Sequence, residues 1–241
     1  MLIEALGLER ARLVALCGAG GKTSLMFALA AEMAAAGERV LVTTTTRIGS
    51  AEGERPLPPG VSVSHGGKSA DGAKLIGHPP EYIDALKQTG GFDRLLVEAD
   101  GSRRRPLKAP AAHEPVVPAS ADAVVVVAGL SGLGRPLAEE TVFRPEIWAA
   151  LSGAELGAPV TAEALARVAV HEAGLAKGCP ERAHAVLFLN QIHSPETRAA
   201  AATICRLVAT ASRRPFACVV GGCLLPSPQV ARLAPDRIAM R

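Results

Sequence analysis

Leu13-Val14-Ala15-Leu16-Cys17-Gly18-Ala19-Gly20-Gly21-Lys22-Thr23-Ser24 is the stretch that decides the fold. An apolar run meets three glycines, a lysine and two hydroxyls, and an alanine-rich apolar run, Leu25 to Ala36, follows. That pattern predicts a buried strand, a tight loop and a helix. Glycines let successive backbone N–H groups turn toward an anion with no Cβ in the way. The start of the helix adds unpaired N–H groups and the positive end of its dipole. In this pattern Lys22 reaches a terminal phosphate and Thr23 binds Mg²⁺, so Gly18, Ala19, Gly20, Gly21, Lys22, Thr23 and Ser24 form the expected nucleotide loop. The usual spacing has a glycine six residues before the lysine. Leu16 stands there, so the loop is a variant of the pattern.

Outward from this loop, apolar runs alternate with helical segments. Val40 to Thr44, Arg94 to Glu98, Ala123 to Ala128, Ala185 to Leu189 and Phe216 to Val220 read as strands. Pro79 to Gln88, Thr161 to Glu172 and Glu196 to Ala211 read as helices, and Gly37 stops the first helix. In the second of these, Thr161 is the expected N-cap, with Glu163 and Glu172 on the outer face. The tail after Val220 reads as proline-rich loop with a turn of helix, and a small insertion fits between Arg47 and Gly77. Continuous apolar strands between helices predict an α/β fold. Its expected form is a mostly parallel sheet with helices on both faces, the three-layer sandwich of P-loop nucleotide hydrolases. Residues 1–241 read as one domain, with no internal repeat or linker.

Composition narrows the function. Of 241 residues, 49% are hydrophobic and 20% charged, which indicates a globular chain. A net charge of +3 and scarce aromatics (one Trp, one Tyr, five Phe) argue against nucleic acid as a partner. No apolar run reaches membrane-spanning length and Met1-Leu2-Ile3-Glu4 begins no signal peptide, so the expected location is cytoplasmic. Five cysteines without a C-x-x-C pair predict neither a zinc site nor a disulfide framework.

Ligands of a parallel sheet bind at the carboxyl ends of its strands, and the polar residues gather there. Glu98-Ala99-Asp100-Gly101 follows an apolar strand. Asp100, with Glu98 on the same face, is the expected Mg²⁺ carboxylate, and Gly101 offers an N–H to phosphate. Thr43 to Arg47 place hydroxyls beside the loop if the second strand neighbours the first, with Thr45 and Thr46 the better candidates. Asn190-Gln191 resembles the start of a guanine-reading Asn-Lys-x-Asp element, but Gln191 and His193 replace the lysine and aspartate. The base, ATP or GTP, stays open. Arg103, Arg104, Arg105 and Lys108 form a basic stretch suited to phosphates or carboxylates. His113 and Glu114 are acid–base candidates, and Arg103, Arg135 and Arg144 are candidates for a transition-state cation.

Taken together, these motifs resemble the YqeC family. The resemblance is carried by Gly18 to Ser24, Thr43-Thr44-Thr45-Thr46-Arg47-Ile48, Glu98-Ala99-Asp100-Gly101-Ser102, Pro106-Leu107-Lys108-Ala109-Pro110, His113-Glu114-Pro115 and Arg144-Pro145-Glu146. It implies a P-loop protein that helps to mature a selenium-dependent molybdenum hydroxylase, with that enzyme or its cofactor as a partner. Three activities are compatible with these residues: a Mg²⁺-dependent nucleotide hydrolase, a small-molecule kinase or nucleotidyl-handling enzyme, and a binding module without turnover. Nothing in the sequence sets the oligomeric state.

Overall fold

The computed structural model describes residues 1–46, 48–49, 57–72, 74–213, 215–225 and 227–233. Thirteen strands are seen among them: β1 Leu13–Gly18, β2 Val40–Thr44, β3 Ile48–Gly49, β4 Val61–Val63, β5 Gly67–Lys68, β6 Lys74–Ile76, β7 Arg94–Glu98, β8 Leu107–Lys108, β9 Ala123–Gly129, β10 Val142–Phe143, β11 His184–Asn190, β12 Cys218–Cys223 and β13 Gln229–Leu233. The helices are α1 Leu2–Leu6, α2 Lys22–Ala35, α3 Pro80–Thr89, α4 Pro145–Ser152, α5 Ala162–Val170 and α6 Pro195–Thr210.

Eight strands form the central sheet in the order β13-β12-β11-β9-β1-β7-β2-β4, parallel except for β13. Its central strands are apolar throughout because both faces are covered. Leu13, Ala15 and Cys17 of β1 face a core built with Ile83 of α3, Trp148 of α4, Leu165 of α5 and Ile204 of α6. Val14 and Leu16 face the other, built with Leu2 and Leu6 of α1 and Leu25, Met26, Leu29 and Met33 of α2. Helix, sheet and helix thus make the expected three-layer α/β sandwich. Leu16, where the usual loop has glycine, is a fully buried strand residue paired with Glu98 and Val125.

Three expectations are corrected. β7 stands between β1 and β2, so the second strand does not neighbour the first. The tail forms β13, an antiparallel edge strand, where loop and a helical turn were expected. Gly221 and Gly222 break the apolar run of β12, which continues to Cys223 past the expected Val220, and an edge strand exposes most of its side chains, so the tail shows no buried period. α5 ends at Val170, which leaves Glu172 outside it. Leu175 donates its N–H back to the Val168 carbonyl, turning the chain away from the helix axis.

Two small sheets add to this frame. β3, β6 and β5 pair antiparallel within the insertion expected between Arg47 and Gly77. β8 pairs in parallel with β10, setting Phe143 against Lys108. That pairing joins segments 35 residues apart in sequence.

Candidate functional site

The carboxyl ends of β1, β2, β7, β9 and β11 open on one side of the sheet. The loop from Gly18 to Gly21 joins β1 to α2 there. Gly18 has φ 91° and Gly20 φ 85°, a region that side chains rarely adopt. A Cβ on Gly18 would run into the Val127 carbonyl, and one on Gly20 into Gly129 and the Pro106 carbonyl. No side chain caps α2 at Gly21. Among the described residues, no protein acceptor is seen for the N–H groups of Gly20, Gly21 or Lys22. Unsatisfied donors at an uncapped, glycine-built helix start are the geometry of an anion cradle.

Lys22 is 3% exposed. Its Nζ donates to the Gly18 carbonyl at 2.7 Å and lies 3.2 Å from Asp100 Oδ1 and 3.6 Å from Glu98 Oε1. Burial disfavours its charge, but Asp100 and then Glu98 outweigh that and raise its pKa, so it remains an ammonium. Thr23 donates its hydroxyl to Glu98 Oε2 at 3.0 Å. Asp100 Oδ2 accepts from the Gly18 N–H at 3.0 Å and from Lys108 at 2.8 Å. The alternation that puts Glu98 and Asp100 on one face brings both onto the loop.

The sequence expectations for other residues divide. Thr46, Gly101, Arg103, Arg104, Arg105, His113 and Arg144 line a cleft of about 1170 Å³ together with Gly20 to Ser24 and Glu98. Thr45 instead donates its hydroxyl to the Val116 carbonyl at 2.7 Å and bridges two loops. Thr44 donates to the Glu98 carbonyl at 2.9 Å, steadying the end of β7. Arg47 lies outside the described residues. Asn190, the expected base contact, is engaged with the loop itself. It is 4% exposed and donates to the Gly20 carbonyl at 2.8 Å, so it props the loop from beneath. The reason is strand order: β11 pairs with β9, which places Asn190 opposite Gly129 and behind the loop. Gln191, at φ 68°, accepts from Ser131 at 2.6 Å.

Lys108 is the largest departure. The sequence groups it with an exposed basic stretch as a ligand-binding lysine. In the structure β8 carries it inward to 2% exposure, where it donates to Asp100, the Gly101 carbonyl and Glu114, each at 2.8 Å. Arg144 then donates to Glu114 Oε2 at 2.6 Å and to the Ala109 carbonyl at 3.2 Å. Its guanidinium sits 4.1 Å from the Phe143 ring centre. A chain of alternating charge therefore runs from Lys22 through Asp100, Lys108 and Glu114 to Arg144 at the mouth of the cleft. Glu114 enters it as a fixed ion-pair centre. Sequence reasoning missed Phe143 because a single aromatic in a two-residue strand carries no periodic signal.

Burial works against the charge of Glu114, but Arg144 and Lys108 prevail and hold its pKa down to about 2 from an ordinary 4.5. A carboxyl depressed on folding stabilises the fold once ionised. That contribution is complete above about pH 4.5 and is lost as pH falls from there toward 2. On the order of 3 kcal/mol is at stake at about 1.4 kcal/mol per pKa unit. Urea denaturation at pH 7 and at pH 3 measures it. Glu114→Gln is expected to be destabilised at pH 7 and to lose less stability between the two pH values than wild type. An equal loss in both would contradict the assignment.

The donors at Thr23 and Glu98 fit Mg²⁺, a hard cation that is bound through one or two carboxylates, a hydroxyl, phosphate oxygens and water. Among the described residues no group of three His, Cys, Asp or Glu could hold a metal ion by itself. Among them, too, no helix is long and apolar enough to cross a membrane.

Comparison with known proteins agrees with the motifs. Residues 14–146 match the family model described as "YqeC protein". A protein of Escherichia coli (strain K12) described as "Uncharacterized protein YqeC" is 36% identical over 203 residues, covering 78% of this chain and 79% of that protein. Two crystal structures of FtsY from Mycoplasma mycoides resemble the chain at 12% identity. One has a TM-score of 0.45 and covers 98% of this chain and 72% of that one. The other has a TM-score of 0.48 and covers 95% and 65%.

Proposed function

The chain belongs to the YqeC family, and from that premise we propose that it is a Mg²⁺-dependent P-loop nucleoside triphosphatase. In this reading residues 1–241 act as one nucleotide-binding domain. It serves as an accessory factor in maturing a selenium-dependent molybdenum hydroxylase, and that enzyme or its cofactor is the partner. The observation that supports the nucleotide reading is the convergence of the uncapped loop, Lys22, Thr23, Glu98 and Asp100 at one point.

In this reading the phosphates lie on the N–H groups of Gly20 to Lys22, with Ala19 and Ser24 flanking them. Lys22 moves its ammonium from Asp100 and Glu98 to the phosphate oxygens, where negative charge builds up during transfer. Thr23 and Glu98, with Asp100 behind them, hold Mg²⁺, which supplies charge neutralisation when bound. Asp100 also fixes Gly18 and so the shape of the loop. Arg103 and Arg144 stand at the mouth as the cations that complete the site, both beside Phe143. Gly101 and Thr46 line the space next to the terminal phosphate.

Release of phosphate from MgATP and from MgGTP tests this, with chelation of Mg²⁺ as the control. Turnover by wild type is expected to disappear on chelation. In Thr23→Val it is expected to fall by about 10- to 100-fold, the scale of losing one ligand-positioning group. Binding without turnover, alone or with a hydroxylase client, would leave the protein as a binding module and sink the hydrolase reading.

A further inference from the structure

The cleft is larger and more basic than a nucleotide requires. Its volume of about 1170 Å³ exceeds the roughly 300–1,000 Å³ of a single small-molecule site. Seven lysines and arginines line it against two glutamates, on a chain whose net charge is only +3. Both glutamates are engaged: Glu98 with Lys22 and Thr23, Glu114 with Lys108 and Arg144. Arg103, Arg104, Arg105 and Arg135 have no acidic partner among the described residues.

The turn that carries these arginines is built against local preference. Ser102 to Arg105 close a tight turn, with the Arg105 N–H donating to the Ser102 carbonyl at 2.9 Å. Its two central residues, Arg103 and Arg104, have φ 49° and 58°. Glycine and asparagine are the residues that fill such left-handed pairs at low cost. Here both are arginines at the rim of a cleft, one of them set 5.1 Å from the Phe143 ring centre. The segment after β9 adds Arg135 to the lining of the same cleft, and the insertion adds Lys74.

We infer that the exposed rim around Arg104, Arg135 and Lys74 is a second binding site, which takes a small molecule bearing two or more phosphates while a nucleotide occupies the loop. This rests on the nucleotide reading of the loop. Forked guanidiniums match phosphate geometry and stay charged at any physiological pH. Lys22 is buried in the floor and committed to the nucleotide, whereas Arg104 and Arg135 are exposed and uncommitted. Scarce aromatics at the rim favour a small phosphorylated molecule over a nucleic-acid strand, which needs stacking platforms.

Calorimetry with fructose 1,6-bisphosphate as the probe tests the site. The probe is titrated into protein alone and into protein saturated with Mg²⁺ and a non-hydrolysable ATP or GTP analogue. Wild type is expected to bind it in both states. Arg104→Ala/Arg135→Ala is expected to bind it at least about tenfold more weakly, with nucleotide affinity held within about twofold. Lys22→Ala is expected to lose the nucleotide and keep the probe. Probe binding that depends on both arginines, in a wild type that binds no nucleotide, would overturn the nucleotide reading and leave the anion site standing. Displacement of the probe by the nucleotide, an undiminished affinity in the double variant, absence of probe binding, or tighter binding of a short single-stranded RNA would each overturn the inference.

Discussion

Lys22→Ala is expected to weaken binding of MgATP or MgGTP by at least about 100-fold, a loss of about 2.8 kcal/mol at 1.4 kcal/mol per decade. Two effects add. The first is loss of a charge-assisted contact to phosphate from a lysine that is itself almost wholly buried. The second is electrostatic. Lys22 lies 3.2 Å from Asp100 and 3.6 Å from Glu98, and removing it takes a positive charge from beside both carboxylates, which then repel an incoming polyanion more strongly. Titration calorimetry on wild type and variant measures the change, and far-UV circular dichroism confirms the fold. A variant that binds within about threefold of wild type would remove Lys22 from the site.

Lys108→Met is expected to cost about 3–5 kcal/mol of stability, the usual penalty for removing one partner of a buried ion pair. Methionine matches the length of the stem but leaves Asp100 Oδ2, Glu114 Oε2 and the Gly101 carbonyl without their shared donor. Of these, Glu114 keeps Arg144 and Asp100 keeps Lys22 and the Gly18 N–H. The expected fall in Tm is about 6–20 °C for a chain of this size. Thermal melts and urea titrations read it, and a double-mutant cycle with Glu114→Gln is expected to show coupling of about 1–3 kcal/mol. Nucleotide affinity should fall as well, because Asp100 sets the position of Gly18. A loss below about 1 kcal/mol would show that the charge chain from Lys22 to Arg144 is not cooperative.

Much of the central sheet was legible because burial on both faces writes itself as an unbroken apolar run. Leu13 to Cys17 and Ala123 to Ala128 could only be inner strands. The loop was legible because its conformation demands glycine at Gly18 and Gly20, and Glu98 and Asp100 because an alternating chain end shows one face. β13 was not, since an edge strand with five residues of which none is fully buried has no burial period to show. The roles of Asn190, Thr45 and Lys108 were not legible either. Each is polar at a strand end or loop, and such a residue reads the same whether it faces a ligand or a neighbouring carbonyl.

By itself, then, the sequence determined the strand–loop–helix unit, the three-layer architecture, the family and which lysine and carboxylates lie at the loop, because all of these depend on local conformation and on burial. Only the tertiary structure decided which polar groups meet. Strand order put β7 between β1 and β2 and set Asn190 behind Gly20, and the pairing of β8 with β10 drew Lys108 inward. Those contacts join residues up to 170 positions apart. They follow from the register and packing of whole elements, and no short stretch of sequence encodes them.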